Sequence, residues 1–156
     1  MTQSACSRPE IQHPPHTLPS APHSPMHPKL LQLLPDEAFV MLQEGGAVFV
    51  DIRSEVEFFF VGNPKGALNI PWQDAPDFEL NPNFIKEISH VARKDQTVIL
   101  ICRSGHRSID AGNALLQVGF QRVYHVLEGF EGDRDENHHR SSVNGWRYRG
   151  LPWVQC

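Results

Sequence analysis

One stretch constrains the fold more than any other: a short apolar run, a polar loop headed by a cysteine, and a helix start. Thr97-Val98-Ile99-Leu100-Ile101 reads as a buried strand. Ser108-Ile109-Asp110-Ala111-Gly112-Asn113-Ala114-Leu115-Leu116 carries a helical pattern. Between them lie Cys102-Arg103-Ser104-Gly105-His106-Arg107. In such a strand-loop-helix, loop amides and the helix N-terminus point at the sulfur and favour negative charge there. Arg103 and Arg107 add full positive charges. A cysteine held this way can be a nucleophile at neutral pH. The plainer reading is a core cysteine packed like a small hydrophobe. Its place after the strand, its arginine neighbours and the helix start oppose that reading.

The same alternation runs through the chain. Leu30 to Leu34 reads as a short strand or the lead into a helix that starts at Pro35-Asp36-Glu37 and stops at Gly45-Gly46. Ala47 to Ile52 reads as a buried strand, Glu55 to Phe60 as a short helix, and Gly62 to Gly66 as a turn. Ala67 to Ile70 is a short strand closed by Pro71. Pro82 to Arg93 shows helical spacing, and Val123 to Leu127 is another strand. Strands alternating with helices predict an α/β domain with a mainly parallel sheet. Functional sites of such sheets lie beyond the carboxyl ends of the strands, where Cys102 and Asp51-Ile52-Arg53 fall.

Residues 1–28 are rich in Pro, His and Ser and poor in apolar residues, which predicts a disordered or polyproline-like tail. The domain is expected over 29–156. A formal net charge of −4 argues against a nucleic-acid binder, and no apolar run approaches a membrane span. Cys6, Cys102 and Cys156 are too few and too far apart for a disulfide framework or a zinc site. With no secretory signal visible, a reduced cytoplasmic protein is the expectation.

At this point the chain resembles the rhodanese-like sulfurtransferases of the short, single-domain type. The resemblance rests on Val50-Asp51-Ile52-Arg53 with Glu57-Phe58, Gly66-Ala67-Leu68-Asn69-Ile70-Pro71, the Cys102 to Ser108 loop, Val126-Leu127-Glu128-Gly129, and Gly150-Leu151-Pro152. It implies a three-layer fold, with about five mainly parallel strands and helices on both faces. It also implies that Cys102 carries sulfane sulfur as a persulfide. The sulfur would come from a small donor such as thiosulfate and go to a thiol, cyanide or protein acceptor, without metal or organic cofactor. Arg103, Ser104, Gly105, His106, Arg107 and Ser108 would form the anion-binding loop, because the arginine fork is planar and always charged. Ser108 is placed to cap the next helix and to meet the sulfur. Asp51 would pair with Arg53 or a loop arginine and hold the cradle in shape.

Two other functions stay open. A non-turnover carrier or regulatory module of the same fold would use the same cysteine with a dedicated partner. A cysteine phosphatase would need C-x-x-x-x-x-R, but here the sixth residue after Cys102 is Ser108 and the arginine comes one step early.

The chain departs from the pattern at Asn63, where relatives commonly have histidine, and in a polar insertion at about 131–144. The insertion leaves the carboxyl end of a strand. It is expected to border the active-site mouth, with Arg134, His138, His139 and Arg140 as contacts that select the acceptor; the alternative is a solvated loop. Phe58-Phe59-Phe60 cannot all point inward on one short helix; core packing is the default, and the alternative is that one or two form an apolar lip near the cleft or a partner surface. Trp72 and Trp146 are expected in the core, and Cys156 as a free terminal thiol.

Overall fold

The computed structural model describes residues 27–156. The predicted tail falls almost wholly outside the described residues, as does Cys6. The strands are β1 (Leu31–Leu33), β2 (Val48–Asp51), β3 (Asn63–Pro64), β4 (Leu68–Asn69), β5 (Gln73–Asp74), β6 (Glu79–Leu80), β7 (Thr97–Ile101), β8 (Arg122–Val126) and β9 (Trp153–Val154). The α-helices are α1 (Pro35–Glu44), α2 (Phe84–Val91) and α3 (Arg107–Gln117). Strands β1, β8, β7, β2 and β4 form a five-stranded sheet in that order, and every pairing is parallel.

The apolar run of β7 lies at the centre, buried on both faces. Its side chains alternate between two cores, as the pleat requires. Val98, Leu100 and Cys102 join Phe84, Ile88, Ala111, Leu115 and Val123 beneath α2 and α3. Ile99 and Ile101 join Leu33, Ala38, Phe49, Val126, Phe130 and Trp146 on the α1 side. Helices on both faces of one parallel sheet make the expected three layers. Trp146 is the largest fully buried side chain, packed tilted on Phe49 at 5.3 Å and edge-on to Phe39 at 6.1 Å. Its indole N–H donates to the Pro152 carbonyl at 2.9 Å, which satisfies the one polar atom that burial would strand. Trp72 is part-buried against Phe84.

Three local features differ from the sequence reading. The short helix expected at Glu55 to Phe60 is mostly a π-helical turn, Glu57–Val61. The wider winding leaves Phe59 and Phe60 exposed and brings Val61 onto the α1-side core. Half-buried Phe58 meets the exposed Phe59 edge-on at 5.3 Å. The polar segment after Trp72 folds as a small β5–β6 hairpin, and the turn residues Asn63–Pro64 pair with β9. Finally, α3 begins at Arg107 with His106 as its N-cap and no side-chain cap bond. Ser108 therefore lies inside the helix and does not cap it. Its hydroxyl is turned to the sulfur instead.

Among the described residues, no helix is long and apolar enough to cross a membrane.

Candidate active site

Cys102 follows β7 directly, and the loop from Arg103 to His106 curls back over it before α3 starts. The curl depends on Gly105, whose φ of +91° lies in the region L side chains avoid. It places the Gly105 N–H 3.2 Å from the Cys102 sulfur, which accepts that bond. The Cys102 thiol in turn donates to Ser108 Oγ at 3.4 Å, and Ser108 Oγ lies 3.1 Å from His125 Nδ1. The sulfur thus meets polar groups of the loop and helix, although the rest of the residue packs in the core. Cys102 exposes no surface to water, yet it forms part of the floor of a cleft of about 730 Å³.

That cleft gathers much of the predicted loop. Arg103, Ser104, His106 and Arg107 line it, with Glu57, Gln73 and Phe78 across from them. From the polar segment come Asp133, Arg134 and Arg140, whereas His138 and His139 are exposed and lie away from the cleft. The structure therefore brings two of the four predicted rim residues to the cleft that Cys102 borders. Arg140 feels Arg103 and Arg134 as like charges, which, after burial, help pull its proton affinity down. An anion entering the cleft would relieve that crowding. A second hollow of about 600 Å³ is edged by Glu55, Asp74, Asp77, Glu79 and Glu87, and no cysteine borders it.

Arg107 is engaged already. Its two terminal nitrogens reach the Glu57 oxygens at 2.9 and 2.8 Å. Glu57 is fixed by a reciprocal capping pair, with the Ser54 N–H on its carboxylate at 3.0 Å and its own N–H on Ser54 Oγ at 3.2 Å. Burial opposes the Glu57 charge, but the Arg107 bonds and field outweigh it, and the carboxyl falls to about 2. Arg107 shifts up for the reciprocal reason, with Glu57 overcoming the cost of burial. Sequence reasoning named Arg107 as an anion ligand and missed Glu57. The Ser54-x-x-Glu57 spacing was the available signal.

A depressed carboxyl stabilises the fold above its unfolded value of 4.5 and loses that contribution as pH falls towards about 2. The melting temperatures of the native chain and of Glu57→Gln should differ by a constant amount above about pH 5.5 and converge as pH drops towards 2. A gap unchanged at pH 2.5 would contradict this pairing.

Asp51 and Arg53 form a second, drier pair. Both are fully buried, with Arg53 Nη2 at 2.6 Å from Asp51 Oδ2 and Nε at 3.0 Å from Oδ1. Nη2 also donates to the Gly62 carbonyl at 2.7 Å, and the guanidinium lies 4.4 Å from the Phe130 ring centroid. Burial pushes the Asp51 carboxyl up, and Arg53 only partly pulls it back. Arg53 Nη1 and His125 Nε2 find no partner among the described residues. Asn63 is mostly buried and donates to the Phe58 carbonyl at 3.1 Å, which ties the turn to the π-helical segment.

The segment at 131–144 is built from turns and rooted on the cysteine loop. Phe130 N–H donates to the Cys102 carbonyl at 2.8 Å, and Glu131 N–H to the Arg103 carbonyl at 2.9 Å. Asp135 ties its interior, accepting from Ser142 Oγ at 2.6 Å and His139 N–H at 2.8 Å, and its carboxyl is held low by these bonds. Arg140 Nη1 donates to the Gly132 carbonyl at 2.6 Å. At the root, Gly129 has φ +65°, and an added Cβ would sit 2.5 Å from the Cys102 carbonyl oxygen and from the Arg103 carbonyl carbon. Gly129→Ala should cost about 2–4 kcal/mol, from the left-handed backbone plus overpacking against main chain. Chemical denaturation measures this, and a loss below about 1 kcal/mol would mean the loop moves aside freely.

Cys156 is an exposed free thiol whose sulfur lies 3.1 Å from the Phe59 carbonyl oxygen. It is not among the residues that border the Cys102 cleft.

Comparison with known proteins accords with this architecture. A family model for the rhodanese-like domain matches residues 34–136. The crystal structure of Rv0390 from M. tuberculosis superposes with a TM-score of 0.75 at 37% identity, over 82% of this chain and 99% of that one. An uncharacterized protein of Rickettsia rickettsii is 30% identical over 73% of this chain and 88% of its own length. The chloroplastic thiosulfate sulfurtransferase 16 of Arabidopsis thaliana is 30% identical over 69% of this chain and 79% of its own. The parallel sheet, the cysteine loop at its carboxyl edge and these matches together make the chain a member of the rhodanese-like domain family.

Proposed function

We propose that this protein moves sulfane sulfur through a persulfide on Cys102. The observation that carries this reading is the seat of the sulfur: it takes the Gly105 N–H at 3.2 Å on the floor of a cleft edged by Arg103, Arg134 and Arg140. A donor such as thiosulfate would enter with its charged end towards these arginines. Sulfur attack on the donor's outer sulfur forms the new S–S bond and expels sulfite with the bonding electrons. A thiol, cyanide or protein acceptor then attacks the outer sulfur of the persulfide and frees Cys102. The Arabidopsis relative that bears the name thiosulfate sulfurtransferase supports thiosulfate as the first donor to try. Arg107, fixed on Glu57, serves mainly to hold the loop, while the unpaired arginines supply the anion field. The loop before Ser108 is one residue short for a phosphate cradle.

The test is intact-mass spectrometry of the chain after exposure to thiosulfate, followed by peptide mapping. A gain of about 32 Da on the Cys102 peptide is expected, with discharge on adding cyanide. Absence of that gain with thiosulfate and with low-molecular-weight persulfides would end the reading. A gain that cyanide and small thiols leave in place would mark a carrier for a dedicated acceptor.

A further inference from the structure

The polar chain that begins at the Cys102 sulfur does not stop at Ser108. Cys102, Ser108 and His125 are each no more than 1% exposed, and they are linked in series by the 3.4 and 3.1 Å contacts described above. His125 stands on β8 in register with Leu100 of β7 and Gln32 of β1. A ring buried there carries a desolvation cost that an aliphatic side chain would not. Only Nδ1 offsets that cost, through Ser108, since Nε2 has no partner among the described residues. The hydroxyl between them is suited to passing a proton, because it donates and accepts at once.

We propose that His125 is a positioning residue that draws the Cys102 thiol proton through the Ser108 hydroxyl and so readies the sulfur for attack. The S–H bond breaks as a new O–H forms on Ser108, and the proton that Ser108 held moves to Nδ1. The electron pair stays on sulfur. The ring, protonated at Nε2 beforehand, becomes an imidazolium, and the proton returns by the same path when the thiol is regenerated. The inference rests on the reading of Cys102 as the nucleophile.

The surroundings leave the sulfur as the charge that matters to this ring. Its register partners are neutral. On α3, which packs against β8, Arg107 is held on Glu57 and Asp110 is exposed. Burial alone lowers the proton affinity of His125. Burial therefore disfavours the charged ring while sulfur holds its proton, and a negative sulfur favours the imidazolium across a dry gap.

The test follows alkylation of Cys102 by iodoacetamide across pH in the full chain, read by peptide mass so that Cys6 and Cys156 do not contribute. Ser108→Ala and His125→Asn should each react about tenfold more slowly near pH 7 and match the native chain near pH 9.5. Ser108→Thr, which keeps the hydroxyl, should restore the neutral rate. His125→Asn keeps a hydrogen-bonding group at the position but cannot titrate, so a merely structural role would be rescued by it. A native rate for His125→Asn at neutral pH, or an equal slowing at both pH values, overturns the inference. Should these variants fail to fold, the ring resonances of His125 in the native chain give the answer. Blocking Cys102 with methyl methanethiosulfonate should move their titration to lower pH, and an unchanged titration overturns the inference. Sulfur loading of the native chain is scored separately. Loading with unshifted variant profiles sinks the relay alone, whereas shifted profiles without loading sink only the proposed function.

Discussion

Cys102→Ser is expected to fold like the native chain and to take up no sulfur at all. The replacement keeps a small polar atom beneath the loop, where the Gly105 N–H at 3.2 Å and Ser108 Oγ at 3.4 Å can still be met. The change in stability should stay within about 1 kcal/mol, the net worth of one such bond. The chemistry is lost outright, because a hydroxyl at neutral pH is not ionised and forms no persulfide. Circular-dichroism melting and intact-mass spectrometry check the two halves. Sulfur uptake that persists in this variant would assign the nucleophile elsewhere, with Cys156 the first residue to replace.

The largest loss of stability is expected from Asp51→Ala. Arg53 has no exposed surface, and among the described residues its ion-pair partner is the Asp51 carboxylate, at 2.6 Å. Removing one partner of a buried pair leaves an uncompensated charge in the core, at a cost of about 3–5 kcal/mol. The intact pair is itself no great source of stability, because both charges give up their hydration on burial, the same cost that pushes the Asp51 carboxyl up. The double variant Asp51→Ala/Arg53→Met should therefore recover much of the loss, since both charges are then gone and Phe130 keeps an apolar neighbour. Urea denaturation of Asp51→Ala, Arg53→Met and the double variant measures the coupling. Losses that simply add would show that the pair does not act as a unit. Its function is geometric: Arg53 ties the end of β2 to the Gly62 carbonyl at 2.7 Å, just past the π-helical turn that carries Glu57.

Much of the architecture was legible in the residues. Ala47 to Ile52 and Thr97 to Ile101 are short, β-branched and apolar, so little but a buried strand could hold them. Pro35 and Gly45 bracket α1 by the same backbone chemistry that sequence rules encode. What escaped was set by partners distant in the chain. Nothing in Glu55 to Phe60 distinguishes a π turn from an α turn, since three successive phenylalanines have no period. Ser108 looked like a cap because a hydroxyl residue before an apolar run usually is one, whereas here the helix opens one residue earlier and the sulfur claims the hydroxyl. His125 reads as an ordinary strand residue until Ser108, seventeen positions back, is brought to 3.1 Å. Its exit from the carboxyl end of a strand put the 131–144 segment near the mouth, but the turns around Asp135 decided that Arg134 and Arg140 border the cleft while His138 and His139 do not.

The strand order carries a consequence for how the molecule comes into being. The edge strand β1 has its ladder on β8, so Leu31 meets Tyr124 and Leu33 meets Val126. On the ribosome the first strand is made early and must wait, unpaired, until nearly all of the domain has been synthesised. Such distant closure slows acquisition of the native topology, because chain entropy is lost before the ladder forms. The cysteine loop lies inside that interval, its Cys102 and Arg103 carbonyls unclaimed until Phe130 and Glu131 arrive. The loop that holds Cys102 is therefore completed only after β8 and the residues that follow it have been made.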